Sequence, residues 1–198
     1  MKNSSTTQFL LEDKLFEVID PGKPLTESDI KTFEAKIGIR LPSQLRHFYL
    51  RWNGGLPCPI DIPDDKSAWV RLHWTKEAEA SEGRGGVTFS GLFEINSTPG
   101  LDFLCTWHDF KNNIPTDCIG FGRNSGSSLY LIGIKEYNLG KIFFWESSYQ
   151  ADIAEGEIPS YDNIAFVANS FTEFLIALRE EPDEGESLED WVQRVYEK

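Results

Sequence analysis

The sequence predicts an α+β fold: a central, mostly antiparallel sheet of about five to six strands, flanked by helices. Three observations carry that expectation. Two consecutive segments, 26–38 and 42–55, have capping residues at their ends and apolar residues at helical spacing between them. A run from 118 to 145 alternates short β-branched and aromatic stretches with two turns rich in Asn, Gly and Ser. A further capped stretch, opened by Asn169-Ser170, carries Phe171, Phe174, Leu175 and Leu178 on one helical face.

Taken in order, Phe9, Leu11, Leu15, Phe16, Val18 and Ile19 recur with a loosely helical period, so a leading helix is expected over 8–20, broken by Pro21-Gly22-Lys23-Pro24. Thr26 then reads as an N-cap with Asp29 at the third helical position, and Leu25 is placed to staple onto Ile30. Ile30, Phe33 and Ile37 share a face, and Gly38 suits a left-handed C-cap. Pro42 can open a second helix, because its missing N–H costs nothing in a first turn. Leu45, Phe48, Tyr49 and Trp52 form its buried stripe, and Asn53-Gly54-Gly55 stops it. Two such helices cannot bury both stripes against each other alone, so a sheet must receive them.

Strands are expected at Trp69–Trp74 and at Val87–Phe89, the latter continuing to Leu92–Ile95, with a polar loop from Lys76 to Gly86 between them. Leu101, Leu104, Cys105 and His108 mark a short amphipathic helix, ended by Asn112-Asn113 ahead of Pro115. A meander follows: Cys118–Phe121, Ser128–Ile132 and Ile142–Trp145, joined by turns at Arg123–Gly126 and Tyr137–Gly140. Ser148 to Asp162 is a long polar connection. Acids crowd from Glu180 to Asp190, a run expected to be a solvated surface or linker, and Leu188, Trp191, Val192 and Val195 behind it suit one last small helix. No internal repeat divides the chain, so one domain over 1–198 is expected, with its core at about 25–178 and an acidic extension at 179–198.

Composition narrows the function. Of 198 residues, 40% are hydrophobic and 13% aromatic, which describes a globular chain rich in rings. Three cysteines are too few and too irregularly spaced for a disulfide framework, the first residues have no apolar leader segment, and no stretch is apolar enough to span a bilayer. A cytoplasmic protein without membrane contact is expected. A net charge of −13 repels phosphate backbones and attracts cationic surfaces, so nucleic acid is an unsuitable ligand and a basic protein a suitable one.

Catalytic patterns are weak. Asp102, Cys105 and His108 fall at helical spacing and could pair a thiol with a base, although Cys105 beside Leu101 and Leu104 reads more simply as a core residue. His47, His73 and His108 are scattered, and no His/Cys/Asp/Glu spacing suits a metal. The glycines of 83–86 and 120–126 read as turns. No catalytic residue, metal or cofactor is expected.

The order and wording of these elements resemble the SUKH superfamily, which holds bacterial toxin-immunity proteins and the Smi/Knr-type fungal regulators of cell-wall assembly. The resemblance is strongest from Leu25-Thr26-Glu27-Ser28-Asp29-Ile30, through Ile37-Gly38-Ile39-Arg40-Leu41-Pro42, to Phe48-Tyr49-Leu50-Arg51-Trp52-Asn53-Gly54-Gly55. Ile119-Gly120-Phe121-Gly122, the aromatic strand ending at Trp145, and Ala168-Asn169-Ser170-Phe171-Thr172-Glu173-Phe174-Leu175 extend it. The resemblance implies an α+β fold without catalytic residues or cofactor. For a bacterial member it implies an immunity protein that binds a polymorphic toxin, often a nuclease, and protects the producing cell. The alternative within the family is a regulatory or scaffold module contacting several proteins.

The defining positions are structural, so a binding face must be sought where this chain departs from shorter members: the insertion Leu56–Ala68 and the extension after Leu178. Asp61, Asp64 and Asp65 stand beside Trp69 and Trp74, a mixture of carboxylates and rings that suits an interface with a basic protein, or else a solvated loop beside two core tryptophans. Glu180, Glu181, Asp183, Glu184 and Glu186 read either as a mimic of nucleic acid toward a nuclease or as an exposed tail. The expected partner is a cognate toxin of basic character, bound by a monomer or weak dimer.

Overall fold

The computed structural model describes residues 16–63, 65–74 and 85–197. Its first element is strand β1 (Phe16–Ile19), where the sequence suggests the end of a helix. Phe16 and Val18 face inward and Glu17 and Ile19 outward, a period of two that the longer apolar run obscures. β1 pairs antiparallel with β2 (Leu56–Pro59), and Phe16 lies 5.6 Å from the Trp52 ring. The rest of the expected leading helix, 8–15, lies outside the described residues, as does most of the expected loop, 75–84.

Helices α1 (Glu27–Ile37) and α2 (Ser43–Trp52) form as their caps dictate. Thr26 and Asp29 make a reciprocal capping box, with Thr26 N–H donating to Asp29 Oδ2 at 2.8 Å and Asp29 N–H to Thr26 Oγ1 at 3.3 Å. Gly38 ends α1 at φ 71°. The Asn53-Gly54-Gly55 stop is a junction as well as a terminator. Asn53 is buried in the left-handed region, accepts Ile95 N–H at 2.8 Å through Oδ1, and donates through Nδ2 to the Lys23 and Ile95 carbonyls. A Cβ on Gly54 would sit 2.7 Å from the Phe93 carbonyl, and one on Gly55 2.7 Å from that of Ile19, while both residues hold φ above 80°. Only glycines let the end of α2 close on both neighbours.

Strands β3 (Ala68–Arg71) and β4 (Gly86–Thr88) pair antiparallel. The stretch after β4 makes single bridges rather than a regular strand: Leu92 to both Gly55 and Gly122, and Glu94 to Asp102. Helix α3 (Phe103–Phe110) follows, then a four-stranded antiparallel sheet in the order β5 (Cys118–Arg123), β6 (Leu129–Gly133), β7 (Ile142–Trp145), β8 (Ile164–Ala168). Its outer edges are not left bare. Ser90 N–H donates to the Arg123 carbonyl beside β5, and His73 and Phe166 exchange both backbone hydrogen bonds beside β8. Through these bridges the β3–β4 pair joins both edges of the sheet, which removes the open-edge hazard.

Helix α4 (Phe171–Ala177), capped by Ser170, covers this assembly. Phe174 meets Phe89, Phe121, Tyr130 and Phe171 at ring separations of 5.0–6.1 Å, the centre of one contiguous core that also takes the stripes of α1 and α2. Strand β9 (Arg179–Glu180) and helix α5 (Leu188–Tyr196) complete the chain.

Candidate protein-binding face

The insertion and the acidic extension, 110 or more residues apart in sequence, meet on one face. β9 adds to the edge of β3, with Ala68 opposite Glu180 and Trp69 opposite Arg179, and Glu181 N–H continues the ladder to the Ser67 carbonyl at 3.0 Å. Lys66 Nζ reaches Asp183 at 2.8 Å. Ser187 caps α5 by accepting Asp190 N–H, and the helix turns its apolar face inward: Trp191 is fully buried, its Nε1 donating to the Glu180 carbonyl at 2.8 Å. The Trp191 ring meets Trp69 edge-on at 6.1 Å. Gly85 lies against the Leu188 methyls, where any side chain would displace them.

Arg194 organises the carboxylates. Its guanidinium takes Glu186 in a fork, Nε–Oε1 at 2.8 Å and Nη2–Oε2 at 2.7 Å, and also meets the Glu180 carboxylate. The fork draws the Glu186 carboxyl down to about 2 and raises the guanidinium's own affinity for its proton. Arg179 is spent on backbone carbonyls of Ile176, Leu178 and Val195, and it stacks over the Tyr196 ring at 4.9 Å. Between these groups lies a cleft of about 190 Å³ lined by Asp61, Ile62, Arg179, Glu180, Arg194 and Val195.

Two kinds of acid result. Glu180, Asp183 and Glu186 are held by Arg194 and Lys66, so they brace the extension against the body. Asp61, Asp65 and Glu184 are exposed, with Glu181 half-buried, and among the described residues none of the four joins an ion pair. Trp69 is half-buried at the same place, and its Nε1 has no acceptor among the described residues. Trp74 belongs elsewhere, packed on the main core just past the His73–Phe166 bridge. Asp64 lies outside the described residues. The last small helix expected on Leu188, Trp191, Val192 and Val195 is α5, and the acidic run ahead of it opens with a strand, β9, and is tied to the body by Trp191 and the Arg194 fork. Arg194 and Lys66 escaped the sequence reading, since their partners are distant and local spacing carries no sign of them.

The Asp102–Cys105–His108 group is built for capping. Asp102 accepts the N–H groups of Cys105 at 2.9 Å and Ser97 at 3.0 Å as the N-cap of α3. Cys105 is exposed, not a core residue as its apolar neighbours suggest, because Asp102 and Thr106 take the inward positions of the turn. A hydrogen bond to the Asp102 carboxylate raises the Cys105 thiol above its ordinary value, opposite to what a nucleophile needs. Cys118 is buried and pushed up to about 12 by desolvation. Among the described residues no three of His, Cys, Asp and Glu are grouped to hold a metal ion, and no helix is long and apolar enough to cross a membrane.

Antiparallel sheets closed by bridges, helices on their flanks and charged groups gathered on the C-terminal elements define a small α+β scaffold. The chain belongs to the SMI1 / KNR4 family (SUKH-1), whose model matches residues 24–177. No curated protein matches the chain. The match stops at the end of α4, so β9, α5 and the acids they carry lie beyond the part that the family model describes.

Proposed function

We propose that the chain is an immunity protein that binds a basic toxin without covalent chemistry, in the cytoplasm of the producing cell, and blocks the toxin's active site or substrate path. One observation carries the reading. The extension folds back onto the insertion through β9 and the Trp69–Trp191 contact, and leaves Asp61, Asp65 and Glu184 exposed and Glu181 half-exposed on these braced elements. Carboxylates that join no ion pair among the described residues suit a cationic protein partner, and the bracing of the elements that carry them lowers the entropy lost on binding. The net charge of −13 steers such a partner toward the face. Membership of the SUKH-1 family supports a protein-binding role of this kind.

Co-expression with the toxin encoded beside this gene tests the proposal. Growth is restored and the two proteins co-purify, whereas the triple variant Asp61→Lys/Asp65→Lys/Glu184→Lys fails to rescue although it folds. Toxin-induced arrest that the wild-type protein leaves unrelieved would end the proposal.

A further inference from the structure

A second surface, which shares no lining residue with the acidic cleft, carries arginines. An open groove of about 590 Å³ runs between the start of α2 and the β6–β7 turn. Its apolar lining is Leu41, Pro42, Leu50, Ile134 and Leu139.

The groove's charge is unusual for this chain. Its acid, Glu27, is consumed by the Arg46 fork at 3.0 and 2.5 Å, and Arg46 also approaches Glu34 at 3.4 Å. Arg40 and His47 are exposed on the same lining, and among the described residues no carboxylate pairs with either. The Arg40 guanidinium, without an ion-pair partner among the described residues, and the exposed His47 imidazole thus stand beside apolar side chains on a protein of net charge −13.

Leu139 is 58% exposed, and the turn that holds it out is fixed. Buried Asn138 accepts Lys135 N–H at 3.0 Å and donates to the Asp117 carboxylate at 3.0 Å. The Tyr137 and Tyr161 hydroxyls donate to the same Asp117 oxygen at 2.7 and 2.9 Å, which ties the turn to the 148–162 connection. A leucine held in water on a clamped turn, with Tyr137 exposed beside it, has the composition of an interface anchor.

We propose that this groove docks an acidic segment of a protein partner, its apolar side chains resting on Leu50, Ile134 and Leu139 and its carboxylates meeting Arg40 and His47. The site is independent of the toxin-binding reading and holds whether or not that reading does.

Fluorescence anisotropy with a labelled decapeptide of alternating leucine and glutamate tests it, alongside a peptide with serine in place of leucine. The leucine peptide binds the wild-type protein, and the serine peptide binds about tenfold more weakly or worse. Arg40→Glu/His47→Glu weakens the leucine peptide about tenfold or more, and Leu139→Ser does so comparably, with melting temperatures unchanged because all three residues are exposed. Asp61→Lys/Glu184→Lys, on the other face, leaves binding intact. The proposal is overturned by no binding, or by affinity undiminished in the Arg40/His47 variant. It is also overturned if oligothymidylate occupies the groove more tightly than the peptide, or if sedimentation finds self-association that Leu139→Ser abolishes.

Discussion

Single residues decide where this chain closes on itself. Asn53 satisfies three backbone groups from a left-handed position, so Asn53→Ala leaves buried Ile95 N–H and Lys23 carbonyl unpaired and should cost about 2–4 kcal/mol, read from urea unfolding. Glu186 gives a pH signature. Its folded carboxyl lies near 2 against an ordinary 4.5, so its stabilising effect is fully present above pH 4.5 and is lost as pH falls through 2. Glu186→Gln should therefore lower stability at pH 7 and flatten the acid side of the stability profile, most visibly for α5. The Thr26–Asp29 box and the Gly38 cap were legible in the sequence because both partners lie within one helical turn. The Arg194 fork was not, since Glu180 and Glu186 become its partners only when β9 and α5 have folded back.

Elements were legible in proportion to how local their cause is. The two early helices, the β5–β7 meander and α4 follow from caps, turns and periodicity. β8 was missed because Ile164-Ala165-Phe166-Val167-Ala168 is covered on both faces and shows no polar alternation. β1 was misread because its inward Phe16 and Val18 continue an apolar run that suggests a helix. The extension's structure hangs on one side chain. Trp191→Ala removes a fully buried indole and its bond to the Glu180 carbonyl, at a cost of about 3–5 kcal/mol. Hydrogen exchange should show α5 and β9 losing protection while β5–β8 keep theirs, since the main core lies on the far side of β3. Uniform loss of protection would mean that α5 is integral to the core.

At the scale of the molecule, the candidate face joins a segment inside the family-matched region to one beyond it. The region that the family model matches builds sheets, helices and their junctions from caps such as Thr26, the Gly54-Gly55 stop and core rings. The candidate face arises where an acidic extension beyond that region zips onto the edge of β3. Charge and tryptophans drew attention to these segments in the sequence, but which acids are braced depends on the fold: Arg194 reaches Glu180 and Glu186 within the extension, while Lys66 reaches Asp183 from the insertion. The central claim, that unpaired acids on this face capture a basic toxin, is tested most directly by the toxin's association rate measured by stopped flow across ionic strength. The wild-type rate should fall by about tenfold or more between low and physiological salt, and Asp61→Lys/Asp65→Lys/Glu184→Lys should abolish most of that dependence while leaving the fold intact. A rate indifferent to both salt and these three substitutions would contradict it.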